Sequence, residues 1–192
     1  MKIETAFTVP APPDTAYRFL LDLERVAPCI PGGELGAPVG DGSYPARVTV
    51  KLGPMRLGYD GTLRIAERDD AARTAVLSAH ARETRGSGSV QATMEMAVAA
   101  ADGAGSSVAV TTELQLTGRA AQMGRGVVED VARKLVDELA ACLAARLSAG
   151  GDEAGDEAPA AGPARPVSAL FLVRGLLRSR ISTLLHRRKG HG

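Results

Sequence analysis

Tryptophan is absent from this chain, and aromatic residues make up only 3% of its 192 residues. A domain that size normally fills much of its interior with aromatic rings, so here small and aliphatic side chains must line whatever interior exists. Cysteine is nearly absent too. Cys29 and Cys142 stand far apart with no CxxC spacing, which predicts neither a disulfide scaffold nor a zinc site. Cys29 reads as a small buried apolar residue rather than a nucleophile. No charge of one sign dominates: the formal net charge is +1, so the chain as a whole is no polyanion binder. No apolar run follows Met1-Lys2-Ile3-Glu4-Thr5, which argues against a secretory leader and for a reducing cytosol. Histidine is scarce. Before residue 150 only His80 occurs, in phase with Val76 and Ser78 on a strand pattern, and no Ser-His-Asp or Cys-His spacing accompanies it. No P-loop and no GxGxxG after a strand is present. Catalysis therefore has no positive support in the motifs, and no metal site or bound cofactor is expected.

What is present is a period of two. In Tyr44 to Leu52 the even residues are apolar and Arg47, Thr49 and Lys51 are polar. Leu57, Tyr59, Gly61, Leu63 and Ile65 keep one phase, as do Val90, Ala92, Met94, Met96 and Val98, and again Val108, Val110, Leu114 and Leu116. Thr74 to Glu83 is a weaker copy. Gly53-Pro54, Asp69-Asp70, Gly86-Ser87-Gly88 and Asp102 to Gly105 separate these runs. Short loops between alternating strands predict an antiparallel meander with one covered face. An early strand, Ile3 to Val9, precedes it. A short helix opens at Pro12-Pro13-Asp14 with Ala16, Phe19, Leu20 and Leu23 apolar. A long helix opens after Thr117-Gly118, with Val127, Val131, Leu135, Leu139 and Leu143 recurring every four residues, and Gly150-Gly151 closes it. This order predicts an α+β helix-grip fold: an antiparallel sheet wrapped around a long C-terminal helix, with an internal apolar cavity. The expected organisation is a domain over residues 1–148, an acidic and Pro-rich linker over 149–166, and a basic amphipathic tail over 167–192.

The inward set is mostly Ala, Val, Gly, Met and Leu. A curved sheet closed by one helix and lined by such residues tends to leave a hollow; the alternative is an ordinary packed core. The expected wall is Val48, Val50, Leu57, Tyr59, Met94, Met96, Met123, Val127 and Val131, with the methionines as an adaptable surface. Ile30-Pro31-Gly32 is expected to form a rigid loop at the cavity mouth, either gating it or serving as a purely structural turn.

Several short motifs go further. Asp22-Leu23-Glu24 followed by Cys29-Ile30-Pro31-Gly32 resembles the D-x-E…C-I-P-G segment of the carbon monoxide dehydrogenase G-subunit (CoxG) family. Lys51-Leu52-Gly53-Pro54 is similar to that family's K-x-G-P strand end. Gly61 two residues after Tyr59 matches its aromatic-x-Gly step, and Gly118-Arg119-Ala120-Ala121-Gln122-Met123-Gly124 its entry to the last helix. Tyr17 departs from the pattern, where the family often has Trp. The resemblance covers residues 1 to about 148. It implies a START-like (SRPBCC) helix-grip fold with a hydrophobic cavity and no catalytic residues. It implies a molybdenum-containing carbon monoxide dehydrogenase or related hydroxylase as partner, recruited to the inner face of the cytoplasmic membrane, and a lipid or quinone as ligand. The same fold can host a cyclase or aromatase acting on a lipophilic substrate, and fold alone does not decide.

The tail has its own pattern. Leu170, Val173, Leu177, Ile181 and Leu184 form one helical stripe, with Arg174 and Arg178 at its margin and Arg180 away from it. A helix over these residues would reach about 33 Å at 1.5 Å per residue, but burying each Arg in mid-membrane would cost roughly 2.5–3.5 kcal/mol. Lying in the interface of an anionic membrane avoids that cost. Docking on a partner protein is the alternative. With Phe171 its sole aromatic residue, the tail lacks a stacking platform for nucleic acid.

Overall fold

A computed structural model describes residues 1–149 of the chain. Seven strands form one antiparallel sheet: β1 (Lys2–Val9), β2 (Gly33–Leu35), β3 (Tyr44–Leu52), β4 (Met55–Asp69), β5 (Thr74–Glu83), β6 (Ser89–Ala100) and β7 (Ser106–Leu116). Their order is β1-β7-β6-β5-β4-β3-β2. The meander runs from β2 to β7, and β1 returns to pair with β7 from Lys2↔Glu113 to Val9↔Ser106. Helices α1 (Pro13–Leu21) and α2 (Leu23–Val26) and a 3-10 turn (Ala27–Cys29) carry the chain from one sheet edge to the other. The long helix α3 (Arg125–Ser148) lies across the sheet.

Local chemistry explains the joints. A proline opens α1 and needs no donor there. Asp22 caps α2 by accepting a hydrogen bond from the Arg25 N–H at 3.1 Å, which accounts for the first acid of the D-x-E motif. Pro31 and Gly32 occupy the central positions of a turn closed by the Gly33 N–H to Ile30 carbonyl bond at 3.0 Å. Gly32 has φ +70, the residue pattern of a type II turn. Any Cβ at Gly32 would stand 2.6 Å from the Thr49 carbonyl oxygen, so this turn is seated on β3. At the opposite end of the domain, Tyr17 donates to the Thr74 carbonyl at 3.0 Å and to Asp70 at 3.2 Å, and Arg73 pairs with Asp14 at 2.6 Å. These bonds pin α1 to the β4–β5 turn.

Two departures from the sequence expectation stand out. The long helix does not start at Gly118. A 3-10 turn (Ala120–Met123) intervenes, and Gly124 at φ +81 resets the direction before α3 begins at Arg125. The buried residues of α3 are Val128, Leu143 and Leu147, so of the expected stripe Leu143 is buried and Val127 is not. The second departure concerns the cysteines. They pair: Cys29 in the 3-10 turn and Cys142 on α3 form a disulfide with Cα atoms 5.4 Å apart, across 113 residues of sequence. The expectation of two unbridged thiols is overturned, because folding brings together positions whose sequence spacing carries no pairing signal. Cys29 is buried, at 4% exposure, as expected.

Gly61 is where the sheet tolerates no side chain. A Cβ there would lie 2.0 Å from the His80 carbonyl oxygen and 2.5 Å from the Ala81 Cα, a close backbone approach that a strand makes only at glycine. Gly61→Ala is expected to lower stability by about 1–3 kcal/mol through forced separation of β4 and β5, read by urea denaturation. An unchanged midpoint would mean that the approach is not structural.

Candidate functional site: an apolar cavity beneath the long helix

The interior has two packed ends and a hollow middle. One cluster joins Val9, Phe19, Leu20 and Val26 to Met96, Val98, Val108, Leu143 and Leu147. The other joins Leu52, Leu57, Tyr59 and Ala120, with Met55 and Met123 against them. Between them the ladder rungs are small. One reads Ala46↔Gly61↔Ala81↔Val90, and the next passes Leu63↔Ala79↔Ala92. Side chains this short cannot reach the helix above. The result is a cavity of about 390 Å³, roofed by Val128, Val131, Ala132 and Leu135 of α3 and bordered by Ala27, Ile30 and Leu35. A more open cleft, lined by Glu24, Pro28 and Gly36 among others, shares Ala27, Gly33, Glu34 and Leu35 with it. These shared residues mark the portal.

Of the wall expected from the sequence, Val48, Val50, Tyr59, Met94 and Val131 line the cavity. The other four do not. Leu57 and Met123 belong to the packed cluster at one end, and Met96 to the cluster at the other. Val127 is 38% exposed, facing away from the sheet. In the mouth loop Ile30 lines the cavity, while Pro31 and Gly32 shape the turn behind it. His80 is exposed on the outer face. The tail residues Leu170, Val173, Arg174, Leu177, Arg178, Ile181 and Leu184 lie outside the described residues, as does the linker beyond residue 149.

Tyr59 lines the cavity with its ring, while its polar atom is buried behind that lining. The Tyr59 hydroxyl is buried and has no hydrogen-bond partner among the described residues. Leaving such a donor unpaired costs free energy. Burial first, and then the negative charge of Glu83, push the Tyr59 phenol above its ordinary value of 10. Tyr59 and Glu83 face each other across β4 and β5. Glu83 is the residue that sequence reasoning missed. Its signal was its phase, for it continues the inward parity of Ala79 and Ala81 with an acid. Its carboxylate, with the side chain 1% exposed, is held by Arg119. The Arg119 Nε donates to Glu83 Oε1 at 3.0 Å, and its Nη2 donates to the same oxygen and to the Arg85 carbonyl at 2.9 Å. Gly86 and Gly88 leave room for Glu83: a Cβ on either would come within 2.6 Å or 2.8 Å of Oε2. The Gly118-Arg119 motif thus anchors the approach to α3 on a buried acid.

Comparison with known proteins matches the profile of the carbon monoxide dehydrogenase G-subunit (CoxG) family to residues 6–148. No curated protein matches by sequence. Among solved structures, a conserved protein from Geobacillus kaustophilus superposes with TM-score 0.69 at 15% identity, covering 78% of this chain and 96% of that one. An aromatase/cyclase from a Streptomyces species gives TM-score 0.54 at 16% identity, covering 79% and 98%. A START superfamily protein from Mycobacterium smegmatis gives TM-score 0.52 at 13% identity, covering 77% and 97%. At these identities the likeness establishes the START/SRPBCC-like helix-grip fold and leaves the chemistry to the site.

Stability should report the buried phenols. Tyr17 is raised as well, by burial and then by its hydrogen bond to Asp70. Unfolded tyrosines ionise near pH 10 while these two stay neutral. Their contribution is therefore complete below that pH and is lost as pH rises through the folded values. Urea denaturation between pH 8 and 11 should show a decline above about pH 10 that is shallower in Tyr59→Phe; an identical slope in the variant would sink the assignment.

Proposed function

The chain belongs to the carbon monoxide dehydrogenase G-subunit (CoxG) family, and from that premise we propose that it is a non-enzymatic accessory protein. In this reading it holds a neutral lipophile, a quinone or a lipid, in its cavity. It brings a molybdenum-containing carbon monoxide dehydrogenase-type enzyme to the inner face of the cytoplasmic membrane. The observation that carries the reading is the hollow of about 390 Å³ with aliphatic walls and one unpartnered donor, Tyr59. That volume lies within the range of small-molecule sites. A charged headgroup would find no free counterion at the floor, since Glu83 is already paired with Arg119, whereas a neutral ligand's carbonyl would need only a shift of the Tyr59 hydroxyl from behind the lining to gain a donor. Among the described residues no helix is long and apolar enough to cross a membrane. In this reading the membrane contact falls to the basic, apolar-striped sequence after residue 166, on the strength of its own pattern of apolar and basic residues.

Native mass spectrometry of the chain purified from its own host, followed by lipid extraction, tests the ligand. One neutral lipophile per chain is expected. Ala79→Leu with Ala92→Leu should fill the hollow and cut loading at least about tenfold without loss of stability. Tyr59→Phe should lower affinity about three- to tenfold while leaving the empty protein as stable or more so, because it removes an orphan donor. Empty wild-type protein that cannot be loaded would end the ligand reading, and recovery of a chemically altered ligand would favour the cyclase-type alternative.

The membrane contact is tested separately. Full-length protein should pellet with anionic vesicles in a salt-sensitive manner, and Arg174→Glu with Arg178→Glu and Arg180→Glu should abolish it. Pelleting that ignores both salt and charge reversal would rule it out.

A further inference from the structure

The disulfide lies in the packed cluster beside the portal, and neither cysteine lines the cavity itself. Ala27 and Ile30, on either side of Cys29 in the chain, line the cavity from one rim. Val131, Ala132 and Leu135 of α3 line it from the other, and Cys142 follows Leu135 by about two helical turns. Between Val128 and Leu143 no side chain of α3 is fully buried. The helix bridges the hollow and rests on its two ends. At its C-terminal end the support consists of Leu143 and Leu147 packed with Val26 and Phe19, a hydrogen bond from Arg146 Nη1 to the Arg25 carbonyl at 3.2 Å, and the Cys29–Cys142 bridge. Among the described residues the bridge is the one covalent tie between the two rims. The opposite rim is fixed independently: the Thr49 N–H bonds the Gly32 carbonyl at 2.9 Å, and Gly33 to Leu35 pair with β3.

We propose that Cys29–Cys142 is a redox site, a dithiol/disulfide latch that holds α3 down over the portal when oxidised and releases its C-terminal half when a dithiol reductant opens it. The proposal rests on reading the hollow as a ligand site and adds how access to it is controlled. Cys142 is only half-buried, while Cys29 is 4% exposed, so the reductant's thiolate attacks Cys142 Sγ. Cys29 Sγ leaves as a thiolate and takes up a proton. The reductant's second thiolate then attacks its own sulfur in the mixed disulfide and expels Cys142, which is protonated in turn. Two electrons and two protons pass from the dithiol to the bridge, and the dithiol departs as a disulfide. In a reducing compartment such a bridge is transient and signals redox state rather than stapling the fold. With it open, the helix end keeps the burial of Leu143 and Leu147 and the Arg146 hydrogen bond but no covalent tie, so its local opening costs less than with the bridge closed.

The test uses the full chain in three forms: air-oxidised, reduced with dithiothreitol, and Cys29→Ser with Cys142→Ser. Hydrogen exchange at residues 27–35 and 135–147, and the release rate of the neutral dye Nile red, are measured in each. Reduction should speed exchange and release by about tenfold, with the double variant fast whether or not dithiothreitol is present. Equal exchange in the oxidised and reduced forms would overturn the latch. So would iodoacetamide labelling of both thiols in air-oxidised protein without prior reduction. If Nile red binds in neither state while exchange responds to reduction, the ligand reading fails and the latch stands. If the dye binds and both rates ignore redox state, the latch fails and the ligand reading stands.

Discussion

The absence of side chains at the centre of the sheet's inner face sets the terms for everything else. Gly61 lies so close to the His80 carbonyl and the Ala81 backbone that no Cβ fits. Ala46, Ala79, Ala81 and Ala92 around it contribute only methyl groups. Protein interiors normally pack to crystal-like density, and unfilled apolar volume of this size forgoes on the order of several kcal/mol. The fold tolerates that loss because the two ends are packed independently. One end is held by Leu57, Leu52 and Tyr59, and the other by Val108, Leu143 and the helix α1 residues Ala16, Tyr17 and Phe19. Polar pins outside the hollow hold these ends in place: Tyr17 on Thr74 and Asp70 at one, Arg119 on Glu83 at the other. A ligand that fills the middle recovers contacts the protein itself cannot make, which is thermodynamic linkage between binding and stability.

How much of this was legible follows from what periodicity encodes. A period of two tells which face a strand residue takes, and the inner faces of β3 to β7 follow from it. It does not tell where along the strand the hollow ends. Met94 and Met96 share a face, but two residues of strand rise, about 7 Å, carry the chain from cavity to packed core. Leu57 and Tyr59 differ in the same way, for Leu57 closes the end of the room that Tyr59 enters. The helix followed its stripe except at the start. Val131 and Leu135 face the cavity and Leu139 and Leu143 the packed end, but at the first turn of a helix that begins at Arg125 it is Val128, not Val127, that is buried. The disulfide left no trace, because 113 residues of separation carry no pairing information until the fold sets the Cα atoms 5.4 Å apart. Glu83 did leave one. An acid in the inward phase of a strand demands a counterion, and the Gly118-Arg119 entry motif supplies it.

The electrostatics of the hollow follow from that pairing. Glu83 is the charged group buried at the cavity's Tyr59 end, and Arg119 meets it with two nitrogens while keeping its own side chain 49% exposed to water. The ion pair is compensated before any ligand arrives; burial first, and then the Glu83 charge, hold the Tyr59 phenol above its ordinary value. What faces the void is almost wholly apolar, with Glu34, Arg47 and Thr62 as the polar residues of the lining and the Tyr59 hydroxyl buried behind it. A ligand carboxylate or ammonium entering there would lose its hydration without gaining a partner, at a cost of several kcal/mol. A neutral group loses far less. Discrimination of this kind would come from the lining, not from the fold, which this chain shares with proteins of quite different chemistry. The same sheet and helix with two or three converging acids would be a catalyst's pocket; here the buried acid, Glu83, is already paired with Arg119, and the surface around the hollow is almost wholly apolar.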